Sequence, residues 1–136
     1  MTLYRGKELR GCIGSVEPQG SLAALVARMA TAAATRDPRF SPLAPEELDG
    51  LRVEISVLSP AHVVAPDEVD PATHGVCISH AGRRAVFLPQ VAARHGWDRE
   101  TLLGELCTKA ELPPDAWRDA SVLLHVFTAV TIEGDI

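Results

Sequence analysis

The sequence predicts an α+β fold with a mainly antiparallel or mixed β-sheet against which helices pack. Two observations predict this class. Stretches with strand-like alternation come in hairpins, and helical stretches arrive between the hairpins instead of after every strand. The length of 136 residues fits one domain with a sizeable core. Aromatic residues make up only 4% of the chain, so that core is expected to be aliphatic and rich in alanine.

The first part of the chain is predicted to contain a hairpin, a helix and a further strand. Gly6-Lys7 is a two-residue loop of the kind that closes tight hairpins. Ser21 is a helix cap, and an apolar stripe from Leu22 to Ala33 recurs at helical spacing. The predicted elements are strands over 2–5 and 8–15, a helix from Ser21 to Thr35, a helical turn at 45–48 and an alternating strand over 52–58.

The remaining elements follow a proline-rich, acidic stretch over 61–73, to which no helix or strand is assigned. Asp98 caps a helix whose buried face includes Leu102, Leu106 and Cys107. The last strand is apolar on both faces, which predicts a central strand that is covered on both sides. The predicted elements are a hairpin over 76–79 and 84–88, a helix from Pro89 through Ala93, a helix after Asp98, a helical turn at 115–118 and a strand over 122–132.

Composition and charge exclude several classes of function. The formal net charge is −5 and no basic run occurs, which argues against nucleic-acid binding. The first residues do not resemble a signal peptide, and the longest apolar stretch, Ser21–Thr35, is too short to span a membrane. Three widely spaced cysteines predict no disulfide framework and favour a reducing cytoplasm. No zinc-ligand spacing occurs, so no metal site is predicted, and the residues specify no cofactor.

The strongest candidate site is the segment from Leu9 to Gly14. Alternation along a strand puts Arg10 and Cys12 on one face, where the cation would favour the reactive thiolate. Gly11 and Gly14 leave the strand nearly bare, which allows a ligand or another backbone to approach. This pattern predicts a nucleophilic thiol next to an anion-binding guanidinium. The alternatives are that Cys12 is a small packed residue and that Arg10 forms a structural ion pair, for example with Glu8 or Glu54.

Four further residues are candidates for the same site. Glu54 is a mid-strand carboxylate that is either a base or the partner of Arg10, and His74 would serve as a base for Cys12. Arg36 or Arg39 would reach an anionic ligand, unless their loop is simply held in place by an Asp37 turn with Phe40 in the core. Cys77 and Cys107 are interpreted as structural residues, and His125 as a core histidine.

The chain resembles the AMMECR domain family, whose prokaryotic members are the AmmeMemoRadiSam system protein A. The hallmark is the hexapeptide Leu-Arg-Gly-Cys-Ile-Gly, and the similarity continues in order along nearly the whole chain. The matching stretches are 9–14, 37–43, 47–48, 53–59, 74–76, 82–91, 96–98, 106–110 and Trp117.

The resemblance implies a fold of two unequal lobes around a cleft that the hexapeptide lines. Arg10 and Cys12 carry over as cleft residues, with Glu54 and His74 as weaker counterparts. The family implies association with Memo-like and radical SAM proteins, but no defined reaction. Family members usually have an N-terminal segment before the position of Thr2. Residues 1–136 are therefore predicted to be an AMMECR-type domain without that segment, and an uncovered apolar patch or strand edge would promote homo-oligomers.

Two functions from different classes fit these observations. In the first, the protein is an enzyme or an enzyme-system component that uses Cys12 and Arg10 on a small anionic molecule. In the second, it is a non-catalytic ligand-binding or scaffold protein, and the hexapeptide forms a pocket or a partner surface. The first function requires the sulfur of Cys12, whereas the second requires only the positive charge.

Overall fold

The structure is a computed structural model that describes residues 1–17 and 20–136. It divides into two compact units, one comprising Met1–Val57 and Val130–Ile136 and the other Leu58–Ala129. Each unit has its own four-stranded sheet. The predicted α+β class is therefore confirmed, with the eight strands divided between two separate sheets. The helices and strands are β1 (Thr2–Arg5), β2 (Glu8–Cys12), α1 (Leu22–Thr35), β3 (Leu51–Leu58), β4 (His62–Val64), β5 (Gly75–His80), β6 (Arg83–Phe87), α2 (Pro89–His95), α3 (Arg99–Lys109), β7 (Leu123–Phe127) and β8 (Ala129–Asp135).

The first sheet has the strand order β2-β1-β3-β8 and is covered on one face by α1. Leu3 and Leu51 on the sheet and Ala33 on the helix are its buried residues. The β1–β2 hairpin turns at Gly6, which has a positive φ of 61°, as the sequence predicted. The strand β2 ends at Cys12 instead of extending to residue 15.

A β-bulge interrupts the pairing between β1 and β2. Leu3 pairs with Gly11, but the next residue, Tyr4, pairs with Leu9, which leaves Arg10 as an extra residue on β2. A bulge of this kind disturbs the regular alternation of side chains between the two faces. It therefore changes which residues of the hexapeptide are neighbours.

The helix α1 begins as predicted, since the Ser21 side chain accepts a hydrogen bond from the Ala24 N–H at 3.3 Å. The predicted apolar stripe is only partly buried. Leu22 at its start is exposed, and the buried residues of the helix, Ala32 and Ala33, lie at its end. Contact with the sheet is thus made by small side chains, which allow the helix backbone to come close to the strands.

The second sheet has the order β4-β7-β5-β6, and its helices pack on one face. On that face the side chains of β5 and β7 meet the predicted apolar face of α3, including Leu102 and Leu106, to form the main core. Cys107 lies in this core, and burial raises the pKa of its thiol. The short strand β4 occupies part of the stretch for which the sequence predicted no element.

The prediction of a single strand over 122–132 is wrong, because the segment forms two strands, β7 and β8, which belong to different sheets. The chain leaves the ladder at Thr128, whose N–H donates to the Ser59 Oγ at 2.8 Å and whose carbonyl accepts from the Ser59 N–H at 2.8 Å. Of these two strands, only β7 has a neighbouring strand on both sides. The strand β8 is an edge strand with exposed Val130 and Ile132, so the expected covering of both faces does not apply to it. Within the described part of the chain, no helix is long and apolar enough to cross a membrane.

Candidate functional site

Cys12, Thr2 and Glu54 form a row across the first sheet. Thr2 on β1 pairs with Cys12 on one side and with Glu54 of β3 on the other. Residues that pair directly across antiparallel strands have side chains on the same face. The Thr2 Oγ1 lies 3.3 Å from the Cys12 Sγ, within hydrogen-bond distance. All three residues are half-buried, and their face is the one opposite α1.

Asp37 anchors the loop after α1 to the free edge of β2. Its Oδ2 accepts a hydrogen bond from the Cys12 N–H at 2.9 Å, and its Oδ1 accepts from the Arg39 N–H at 3.1 Å. The Arg39 side chain donates to both oxygens, from Nε at 3.0 Å and from Nη2 at 2.7 Å. The Arg39 guanidinium, followed by these backbone donors, holds the pKa of the Asp37 carboxyl well below its usual range. Asp37 is thus a buried, ionised link between Cys12 and Arg39.

The positive charge next to Cys12 belongs to Arg39. Asp37 accepts hydrogen bonds from both the Cys12 N–H and the Arg39 guanidinium, which holds that guanidinium close to Cys12. Cys12 adds to the larger effect of Asp37 in raising the Arg39 pKa. Its side chain is 56% exposed, so solvent and solutes reach the guanidinium. The sequence predicted a guanidinium near Cys12, and in the structure the arginine that shares the Asp37 carboxylate with Cys12 is Arg39.

Arg10 forms a structural ion pair instead. Its Nε and Nη2 donate to the two carboxylate oxygens of Glu47 at 2.7 and 2.8 Å, and its Nη1 donates to the Ser41 carbonyl at 2.9 Å. Arg10, together with the Ala44 N–H, lowers the Glu47 pKa to about 2. The Arg10 guanidinium is therefore bound by Glu47 and not by the thiol, and the bulge at Arg10 breaks the strand alternation from which its place beside Cys12 was predicted. The alternative of an ion pair is confirmed, but its partner is Glu47 and neither Glu8 nor Glu54.

The two glycines of the hexapeptide have different surroundings. A Cβ on Gly11 would overlap the carbonyl oxygen of Ala33, so the close neighbour of Gly11 is the backbone of α1. A Cβ on Gly14 would meet nothing within 4 Å. The sequence allowed either a ligand or another backbone to approach Gly11. In the structure, the group that approaches is the backbone of α1 at Ala33.

The other sequence-predicted residues are more dispersed. His74 lies in the second unit, where its Nδ1 accepts a hydrogen bond from the Asp70 N–H at 3.0 Å and so holds the loop before β5. Arg36 is the exposed C-cap of α1. Glu54 has no ion pair or hydrogen-bonded side chain among the described residues, which leaves its carboxylate available in the row with Cys12. The described residues also contain no group of three or more His, Cys, Asp or Glu that could hold a metal ion.

Sequence reasoning missed the roles of Thr2, Asp37 and Glu47 in this site. Asp37 was expected only to fix its own turn, which it does through the Arg39 N–H. The Asp-Pro-Arg sequence signals that turn, but not the second bond to Cys12. Thr2 is identified only by the strand register, because nothing in the order of residues pairs position 2 with position 12.

The fold and site together define a small α+β protein with a half-buried thiol beside an arginine. A family model for AMMECR1 matches residues 1–132, and the chain belongs to this family. It is 39% identical to Protein MJ0810 of Methanocaldococcus jannaschii over 137 residues, covering 96% of this chain and 68% of the relative. It is 41% identical to Protein TK0174 of Thermococcus kodakarensis over 133 residues, covering 93% of this chain and 65% of the relative.

A solved structure shows the same fold. The crystal structure of the uncharacterized protein PH0010 from Pyrococcus horikoshii matches with a TM-score of 0.85 and 38% sequence identity. The match covers 97% of this chain and 70% of that one. The fold and the family are thereby established, and the names of these relatives assign no reaction.

Proposed function

We propose that the protein is an enzyme, or a component of an enzyme system, in which Cys12 acts as a nucleophile on a small anionic molecule. The single observation that carries this proposal is that one carboxylate, Asp37, binds both the Cys12 N–H and the Arg39 guanidinium and so holds a positive charge near the thiol. In general, a cation near a cysteine favours the thiolate, which is the nucleophilic form. An arginine that is half exposed also offers donors to a bound carboxylate or phosphate.

The surroundings of Cys12 support a prepared site. Asp37 fixes both the backbone of Cys12 and the guanidinium of Arg39, so the charge is held beside the sulfur by four hydrogen bonds. Such fixing lowers the entropic cost of placing a charge where a reaction needs it. The Thr2 hydroxyl contacts the sulfur from the neighbouring strand, and Glu54 follows in the same row as a candidate base.

The remaining parts of the proposal come from the family resemblance. It supports a cytoplasmic location and a shared pathway with Memo-like and radical SAM proteins. His74 remains a candidate base on the same ground, and Arg36 a candidate anion ligand on the ground of its exposure near Arg39 in the chain.

The test compares the reaction of Cys12 with thiosulfonate reagents of opposite charge. The thiolate attacks the reagent, a disulfide forms and a sulfinate leaves, so the measured rate reports the thiolate and its field. Rates at Cys12 are followed by mass spectrometry for an anionic sulfonate reagent and a cationic trimethylammonium reagent. We expect the ratio of the anionic rate to the cationic rate to fall about five- to tenfold in Arg39→Gln. Unit charges about 7 Å apart in water interact by about 0.6 kcal/mol. Loss of the guanidinium slows the anionic reagent and speeds up the cationic one by this amount each, so the two effects multiply in the ratio.

Arg10→Gln is the matched control, because it removes the same charge from a neighbouring residue whose guanidinium is bound to Glu47. This variant should leave the ratio near that of the natural protein. If Arg39→Gln leaves the ratio unchanged, or if Arg10→Gln lowers it more, the assignment of the anion-binding charge to Arg39 is refuted.

A second measurement separates catalysis from binding. Small carboxylates and phosphates are screened by thermal shift, and those whose stabilisation is lost in Arg39→Gln are incubated with the protein. A compound that is converted by the natural protein but not by Cys12→Ser supports the enzyme. The alternative function is a binding scaffold. It is supported by a compound that binds Cys12→Ser equally well and is recovered unchanged.

A further inference from the structure

A second thiol, Cys77, lies in the other unit among groups that are suited to chemistry. It pairs directly with His125 across β5 and β7, so the two side chains share one face, with their Cβ atoms about 4.5–5.5 Å apart. Arg84 on β6 donates a hydrogen bond from Nε to the Cys77 Sγ at 3.3 Å. The sulfur also lies 3.8 Å from the Ile78 carbonyl oxygen. These residues form the Cys77 cluster: a thiol, an imidazole and a guanidinium.

The Cys77 cluster faces away from the helices. Val76 and Ile78, which alternate with Cys77, and Leu124 and Val126, which flank His125, are the residues that pack on α2 and α3. On the face of the cluster, Val63 next to His125 is 59% exposed, Arg84 is exposed and His125 is half-buried. The interpretation of His125 as a core histidine was therefore wrong. Cys77 is itself 5% exposed, so a reagent reaches its sulfur only when neighbouring side chains, such as that of Arg84, move aside.

We propose that Cys77 is an oxidation site that takes a small hydroperoxide. The thiolate, held by the Arg84 guanidinium, attacks one peroxide oxygen, so that an S–O bond forms and the O–O bond breaks. The sulfur loses two electrons and becomes a sulfenic acid. The departing hydroxide or alkoxide takes a proton from the His125 ring and leaves as water or an alcohol. This inference is independent of the function proposed for Cys12.

The experiment treats the reduced full chain with hydrogen peroxide in the presence of dimedone, which traps sulfenic acids. Mass spectrometry then gives the rate of labelling at each cysteine. We expect Cys77 to be labelled at least tenfold faster than Cys107, which is fully buried and has no charged side chain bonded to its sulfur among the described residues. Labelling of Cys107 at the same rate as Cys77 would overturn the proposal, because it would show that opening of the fold sets the rate.

Arg84→Gln and Arg83→Gln form the matched pair of variants. Both residues lie on β6 and are exposed, but Arg83 donates to Glu111 and not to a sulfur. Arg84→Gln should slow the labelling of Cys77 about fivefold or more, and Arg83→Gln should leave it unchanged. Equal effects of the two variants would refute a specific role for Arg84.

The outcome is distinguishable from that for the first site. Arg39→Gln should change the labelling of Cys12 and leave that of Cys77 unaltered, since Arg39 is linked to Cys12 through Asp37, whereas the Cys77 sulfur is bonded by Arg84. His125→Gln should slow the labelling of Cys77, because the departing group then lacks its proton donor. If His125→Gln has no effect while Arg84→Gln does, the proton-donor step is wrong.

Discussion

Replacing Gly11 by alanine tests why the hexapeptide contains a glycine in its strand. The new Cβ would overlap the Ala33 carbonyl oxygen, which belongs to the backbone of α1 and cannot rotate away as a side chain can. Either the end of α1 or the strand β2 must shift. Overpacking of this kind costs about 1–3 kcal/mol, and a backbone neighbour favours the upper part of that range, about 2–3 kcal/mol.

The expected loss is large enough to measure by urea unfolding and by calorimetry. With an unfolding entropy of about 2.1 cal/mol/K per residue, a loss of about 2–3 kcal/mol lowers Tm by roughly 7–10 °C for a chain of this length. Gly14→Ala is the matched control, because its Cβ would meet nothing within 4 Å, and it should change stability by less than about 0.5 kcal/mol. Equal stability of the two variants would refute the reasoning and would return Gly11 to the role of a ligand contact.

Two other predictions concern the ion pair and the core. In Arg10→Gln the Glu47 carboxyl loses the main cause of its lowered pKa. In the natural protein, the Glu47 carboxylate stabilises the fold at pH values above its ordinary pKa of 4.5. This contribution is lost as the pH falls from 4.5 towards about 2. The urea midpoint of the variant should therefore fall less steeply across this window, and an unchanged slope would contradict the assignment. Leu103→Ala should cost about 2–5 kcal/mol because Leu103 is fully buried, whereas Leu123→Ala, at a side chain that is 48% exposed, should cost less than about 0.5 kcal/mol. Chemical unfolding of both variants checks the core, and similar losses would contradict it.

Local patterns were sufficient where a structure depends on neighbours in the chain. The helix cap at Ser21, the turn at Gly6 and the buried face of α3 were all predicted, since each follows from the spacing of a few adjacent residues. The division of 122–132 between two sheets was not predicted. Both halves are apolar and extended, and the break at Thr128 depends on Ser59, which is far away in sequence.

The candidate site was likewise predicted only in part from the sequence. The sequence identified Cys12 and the need for a nearby cation, but strand alternation selected Arg10, and the bulge invalidated that choice. The partner of Cys12 depends on how the loop after α1 meets the edge of β2. No periodicity along the chain encodes that contact.

The sequence by itself determined the class of fold, the family and the cysteine on which the proposed function depends. All three follow from the local spacing of residues and from residue identities, which do not change when the chain folds. The tertiary structure decided which arginine is held near that cysteine by Asp37, why Gly11 has no side chain, and that Cys77 has an arginine and a histidine beside it. The physical reason is that each of these contacts joins different strands or a strand and a loop, and strand register and close packing exist only once the chain has folded.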